Sequence, residues 1–181
     1  MKIIYKNKDN VNPTKIITSS RGIIIKDNLV LLTYSSYFKD YITPGGRTTK
    51  EETLEETLIR ELKEEIGIYN ITFEEIGVIF EYYFKNGNYE LKKHHYYLIK
   101  DYEEGKTNKR SDEISYGMES RWISPSDAIK ENNKQIKERI KKGLLKEDEF
   151  ITSLKRENEI LRYIEENYLW ESFILLKSLN I

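Results

Sequence analysis

Apolar residues recur at every fourth position from Leu54 through Leu58 and Leu62 to Ile66, with charged residues between them. That period predicts an amphipathic helix with one buried stripe. Thr49 and Glu52 have the spacing of a capping box and predict where the helix opens. Gly67 stands where a left-handed cap should end it. Pro44, Gly45 and Gly46 predict a tight loop entering the segment. Upstream, Lys15 to Ser20, Gly22 to Lys26 and Leu29 to Tyr34 are β-prone, with a turn at Asp27-Asn28. A loop from Ser35 to Asp40 then leads to a short strand at Tyr41-Ile42. Downstream, Ile71 to Lys85 and Tyr89 to Lys100 flank Asn86-Gly87, a strong hairpin signal. Tyr102 to Ser111 is polar and predicts a mobile loop, Arg121 to Ile123 a short strand, and Ser124-Pro125 a helix start. From about Ile129 the pattern changes. A basic run, Lys137 to Lys146, reads as a solvated helix face, with contact to an anionic ligand as the lesser alternative. Phe150, Leu154, Ile160, Leu161 and Ile164 then follow helical spacing, and Tyr168 to Leu179 is markedly apolar. Strands, a central helix, more strands and further helices together predict an α/β fold with a mixed sheet between helices.

The polar side of the central helix carries the chemistry. Glu61, Glu64 and Glu65 stand at i, i+3 and i+4, which puts three carboxylates on one side of adjacent turns. At ~4 Å and an effective dielectric of ~20, each such pair repels by about 4 kcal/mol. Protonation relieves this, and so does a divalent cation. Oxygen ligands clustered without Cys or His suit magnesium or manganese. Glu51, Glu55 and Glu56 read instead as an ordinary solvated face.

The stretch from Gly46 to Ile68 resembles the signature of the Nudix hydrolases, G-x5-E-x7-R-E-U-x-E-E-x-G-U, with U aliphatic. Gly46, Glu52, Arg60, Glu61, Leu62, Glu64, Glu65, Gly67 and Ile68 fill every specified position. The resemblance implies an α/β/α sandwich whose signature forms a loop–helix–loop. It divides the chain into a Nudix domain at residues 1–131 and a C-terminal helical extension at 132–181, packed on the domain or on a partner subunit. It further implies hydrolysis of a diphosphate bond in a nucleoside diphosphate linked to another group, with Mg2+ or Mn2+ as cofactor. Glu61, Glu64 and Glu65 match the metal-binding positions, and Glu52 matches an accessory contact. Arg60 matches the residue that orients the carboxylates. Gly46 matches the loop glycine near metal and phosphate, and with Gly45 and Arg47 it is expected to meet substrate. Glu64, Glu61 and Arg60 are the expected catalytic residues. Many family members also recruit a base from a later loop. Glu113 and Glu119, before Arg121-Trp122, are the candidates, each against the reading of a surface carboxylate.

Composition narrows the function. With 181 residues the chain suits one domain with an elaboration. Lys and Arg total 30, Asp and Glu total 31, and the net charge is −1, so nothing predicts strong binding to nucleic acid or to a membrane surface. There is no cysteine, which removes disulfides, zinc-thiolate sites and cysteine nucleophiles. Met1 to Asn10 does not read as a signal peptide and no stretch is long enough to span a bilayer, so a cytoplasmic protein is expected. His94 and His95 alternate in a strand, which turns one inward. Tyr82, Tyr83, Phe84, Tyr96 and Tyr97 read as core first and as a nucleobase platform second. The proline that tends to mark the ADP-ribose members of the family is absent, since prolines occur only at 13, 44 and 125. Two other functions stay open: a nucleotide sensor without turnover, and a pyrophosphohydrolase acting on RNA. The apolar tail predicts a homodimer.

Overall fold

The computed structural model describes residues 12–169. The elements are β1 (Lys15–Ile23), β2 (Ile25–Lys26), β3 (Leu29–Ser35), β4 (Asp40–Ile42), β5 (Gly45–Arg47) and α1 (Leu54–Ile66). There follow β6 (Ile68–Lys85), β7 (Asn88–Glu104), α2 (Ser111–Ser115), β8 (Met118–Ile123), α3 (Pro125–Lys141) and α4 (Glu149–Ile164). A π-helical turn, Glu165–Leu169, closes the described chain. Among the described residues no helix is long and apolar enough to cross a membrane.

One sheet has the order β5-β1-β7-β6, and the other joins β2, β3, β4 and β8 through β3. The β1–β7 pair is parallel and the remaining pairs are antiparallel, so the first sheet is mixed. The long β6–β7 hairpin closes at Asn86 and Gly87, both at positive φ, as a two-residue turn between right-twisted strands requires. Asp27 and Asn28 turn β2 into β3 in the same way.

Alternation at the end of β1, between Ile23 and the residue that follows it, shows which helix covers which face. Ile24 packs with Leu58, Leu62 and Ile66 of α1. Ile23 packs on the other side, with Ile160, Leu161 and Ile164 of α4 and Ala128 of α3. The sheets therefore lie between α1 and the α3–α4 pair, the three layers expected. Burial of Leu58 and Leu62, both fully enclosed, contributes about 1.5–3 kcal/mol each. That is of the size needed to hold α1 together against repulsion among its carboxylates.

Four local expectations change. The capping box of α1 is Thr53 with Glu56, not Thr49 with Glu52. Both pairs have the same spacing, and Glu52 Oε2 does accept the Thr49 N–H at 3.2 Å, but the Glu52 N–H goes to the Thr49 carbonyl, whereas the Glu56 N–H goes to the Thr53 side chain and completes the box. Pro44-Gly45-Gly46 is not simply a loop: Gly45–Arg47 form edge strand β5, paired with Ser19 to Arg21 of β1. The polar stretch after Tyr102 begins as strand, because β7 runs on to Glu104, and it ends at the short helix α2. Glu56, read as merely solvated, accepts the Thr53 N–H at 2.8 Å as the second half of the cap. The aromatic stripe falls to the core reading, with Tyr83, Tyr96 and Tyr97 all buried. In the basic run, Lys137, Lys141, Lys142 and Lys146 are exposed, while Arg139 turns back to pair with Asp40. Met1 to Asn10 lies outside the described residues. So does nearly all of the tail behind the homodimer expectation, beyond Leu169.

Beneath α4 lies a buried polar network. His94 accepts from Ser19 Oγ at Nδ1 (2.7 Å) and donates from Nε2 to Glu81 Oε2 (2.9 Å), the tautomer that satisfies both partners. Arg156 Nη1 donates to the same Glu81 oxygen at 2.9 Å, and its Nη2 pairs with Glu157. Burial, and then the Arg156 charge, hold the His94 pKa well below its usual 6.5, against the pull of Glu81. The fold therefore keeps a neutral histidine that the unfolded chain protonates. The stability this gives is complete above pH ~6.5 and is lost as pH falls, at up to about 1.4 kcal/mol per pH unit. Urea unfolding of wild type and His94→Gln between pH 7.5 and 5.5 should differ by this slope, the trends of all other groups being common to both proteins. Equal slopes in the two proteins would contradict the assignment.

Candidate metal centre

Edge strand β5 and helix α1 build the site from opposite sides. Gly45 takes φ +131°, and a Cβ there would sit 2.2 Å from the Ser20 carbonyl oxygen. A side chain at Gly46 would sit 2.3 Å from Glu61 Oε1. The two glycines thus let the strand backbone close on the acidic face of the helix. Gly45 donates its N–H to Glu65 Oε2 at 2.9 Å. At the far end of α1, Gly67 caps in the left-handed conformation as expected.

Arg60 gathers the carboxylates on the outer side. Its Nε donates to Glu52 Oε1 at 2.5 Å, and its Nη2 donates to Glu52 Oε2 at 3.0 Å. Its Nη1 donates to Glu61 Oε1 at 2.7 Å and lies 3.4 Å from Glu64 Oε2. This is the bidentate fork that a guanidinium provides and an ammonium does not. The hydrogen bond from Arg60 holds the Glu52 carboxyl down at about 2.

Three glutamates offer oxygens that all lie within 4.8 Å of one another: Glu61, Glu65 and Glu113. All three are buried, at 1%, 6% and 3% exposure. Glu113 arrives from α2, where its Oε2 accepts the Arg110 N–H at 2.8 Å. Burial pushes the Glu65 carboxyl up to about 8; the Gly45 N–H opposes this, and the charges of Glu61 and Glu113 add to it. The site is therefore short of positive charge. Arg60, Arg110 and Arg21 are its nearby cations, and Arg110 is half exposed, with Nη2 2.7 Å from Glu113 Oε1. Glu61 Oε2 is buried with no hydrogen-bond partner. An unpartnered carboxylate oxygen inside a set of hard oxygen donors fits a magnesium- or manganese-like cation, and the set contains no thiolate or imidazole to favour zinc.

The remaining expected residues fall at different places. Glu64 is a quarter exposed and stands beside this set, not in it. Glu119 is exposed on β8 and paired with Arg121, far from the role of a buried acid. Arg47 follows Gly46 on β5 but turns its side chain to the opposite face of the sheet, into a groove with Arg21 and Lys92. Arg110, which faces both Glu61 and Glu113, was not anticipated. Its only sequence signal is its place three residues ahead of Glu113 in a short helix start.

A family model described as NUDIX domain matches residues 17–144, well over half of the chain. No curated protein is matched by the sequence. Among solved structures, the mutator MutT protein of Bacillus halodurans is similar with a TM-score of 0.52 and 22% identity, over 64% of this chain and 72% of that one. The MutT NUDIX hydrolase of Burkholderia pseudomallei gives a TM-score of 0.50 and 20% identity, over 61% of this chain and 84% of that one. At these identities the structural likeness speaks for the fold.

Proposed function

The chain belongs to the NUDIX domain family, and from that premise we propose that it is a hydrolase. It cuts a diphosphate bond in a nucleoside diphosphate joined to another group and uses Mg2+ or Mn2+. The observation that carries this reading is the buried meeting of Glu61, Glu65 and Glu113 across two separate elements. Such a set has no structural purpose as a bare cluster, since each charge raises the cost of the others. Glu61, Glu65 and Glu113 would hold the cation, with Glu64 beside them and Glu52 reached through Arg60. The ion, when bound, would offset phosphate charge and make a bound water more acidic.

The protein's own groups account for the rest. Arg60 fixes the rotamers of Glu52 and Glu61, so the donors need little rearrangement when substrate arrives. The Gly45 N–H orients Glu65. Glu113, on the short helix α2 and close to the other two acids, is the group we assign to accept the proton of the attacking water. Glu64 and Glu61 complete the catalytic face of α1. The full signature favours turnover over a nucleotide sensor, because a sensor has no need of a buried anionic cage. A cytoplasmic setting belongs to the same proposal.

A panel of nucleoside triphosphates, ADP-ribose, dinucleoside polyphosphates, nucleotide sugars and capped RNA tests the reading with Mg2+ and with Mn2+. At least one should be cut at a diphosphate bond, with EDTA abolishing the reaction and added metal restoring it. No turnover across the panel with either ion, or turnover indifferent to EDTA, would defeat the proposal.

A further inference from the structure

We propose, resting on the hydrolase reading above, that the substrate carries a second phosphate remote from the diphosphate that is cut. That phosphate binds a cationic groove on the α4 side of the mixed sheet. The groove has a volume of about 390 Å³ and is lined by Lys15, Arg21, Arg47, Lys85 and Lys92. A groove of this size takes a small molecule.

Charge and chemistry both favour phosphate. Five cations face two acids in the groove, Glu90 and Glu149, on a chain whose net charge is −1. Both acids are already engaged, and Glu149 in turn occupies two of the five cations. Glu149 accepts from Lys85 at 2.8 Å and also from Lys92, while Glu90 accepts from the Tyr83 hydroxyl. Lys15 and Arg47 have no acidic partner among the described residues. Arg21 spends Nη1 on the Thr43 carbonyl, lies 3.9 Å from Glu157 and has its Nε buried, so Lys15 and Arg47 are the donors left open to the groove. Charged donors without acceptors are the natural mates of phosphate oxygens.

A nucleobase fits the groove poorly. Its apolar lining residues, Ile17 and Tyr83, are buried at 8% and 1% exposure. The Lys92 ammonium lies over the Tyr83 ring, 4.5 Å from its centroid. No open aromatic face is left for stacking. The floor is His94, held neutral by burial.

Position ties the groove to the acids. Consecutive strand residues point to opposite faces. On β5, Gly46 lies against Glu61, and the next residue, Arg47, lines the groove. In the sheet order β5 is an edge strand. A substrate bent over that edge sets its diphosphate beside the carboxylates and its remote phosphate among the lysines.

The test uses the full chain and two readouts. Inorganic tripolyphosphate is titrated calorimetrically in EDTA, which removes any contribution from metal at the carboxylates. The wild type should bind it, K15E/K85E should weaken binding at least about tenfold, and the charge-neutral K15Q/K85Q should fall between, all three melting alike. Turnover with Mg2+ is then compared within pairs that differ by one remote phosphate: NADPH with NADH, and coenzyme A with dephospho-coenzyme A. The phosphorylated member of at least one pair should have the higher kcat/KM, mainly through KM, and K15E/K85E should erase the difference. Absent tripolyphosphate binding, binding indifferent to the lysines, or equal turnover within both pairs overturns the proposal. Lysine-dependent binding with no turnover of any compound would leave the phosphate groove standing and bring down the hydrolase reading instead.

Discussion

Replacing Glu65 with glutamine should lower kcat for diphosphate hydrolysis by about 100-fold or more, and should weaken Mn2+ binding measured by titration, without unfolding the protein. The size follows from what Glu65 touches. It is buried, fixed by the Gly45 N–H, and grouped with Glu61 and Glu113 within 4.8 Å. Removing one anionic ligand from a preorganised ion site costs transition-state stabilisation of this order. Folding should be spared, because the metal-free fold already prefers a neutral group at this position, with the carboxyl raised to about 8. A raised folded pKa gives stability that is complete below the unfolded value of about 4.5 and is lost as pH climbs through 8. In chelator, then, the wild type should weaken between those pH values, and Glu65→Gln should not. Glu113→Gln should also lose rate, whereas Glu119→Gln should stay near wild type, since Glu119 is spent on Arg121 at the surface. Retained turnover and retained Mn2+ affinity in Glu65→Gln would remove the basis of the proposed chemistry.

What sequence can disclose here depends on how far apart the interacting residues lie. The stripe from Leu54 to Ile66, the Gly67 cap and the Asn86-Gly87 hairpin are written within a few residues, and the structure has all of them. The α1 carboxylates and Arg60 are equally local. The capping box was misplaced because Thr49-x-x-Glu52 and Thr53-x-x-Glu56 are equivalent as strings. They part at the threonine side chain, since Thr53 Oγ1 accepts the Glu56 N–H while the Glu52 N–H goes to the Thr49 carbonyl. Strand β5 was hidden because Gly45 and Gly46 are turn formers locally. Their pairing with β1 is set by the approach of Glu61 and Glu65, which no window of sequence contains. Glu113 and Glu119 look alike in the chain. Three-dimensional packing buries one and exposes the other. The groove is more distant still, since its cations come from β1, β5, β6 and β7.

Arg156→Ala should destabilise the protein by roughly 3–5 kcal/mol, the cost of stripping the partner from buried charges. For a chain of this size that is a fall in Tm on the order of 10 °C. Arg156 is 3% exposed and stands between Glu81 and Glu157, at 1% and 0%. Burial alone would raise the Glu81 carboxyl, but Arg156 and then His94 hold it well below the usual carboxylate range. Without the guanidinium, Glu81 keeps only uncharged hydrogen-bond partners, Thr152 and His94, and Glu157 keeps Thr43 and a 3.9 Å approach to Arg21. Removing one of those charges as well should recover part of the loss. Glu81→Gln in the Arg156→Ala background is therefore expected to melt higher than Arg156→Ala alone, the coupling that a double-mutant cycle reads. The family match ends at residue 144, ahead of α4, yet α4 supplies both Arg156 and Glu157. Glu157 Oε2 accepts the Thr43 N–H and the Thr43 hydroxyl, each at 2.9 Å. Thr43 is two residues from Gly45, whose N–H orients Glu65. A helix beyond the matched segment thus anchors the strand on which the acidic site rests. If Arg156→Ala melts within about a degree of wild type, α4 is an appendage, and this line of support from α4 through β5 to Glu65 does not exist.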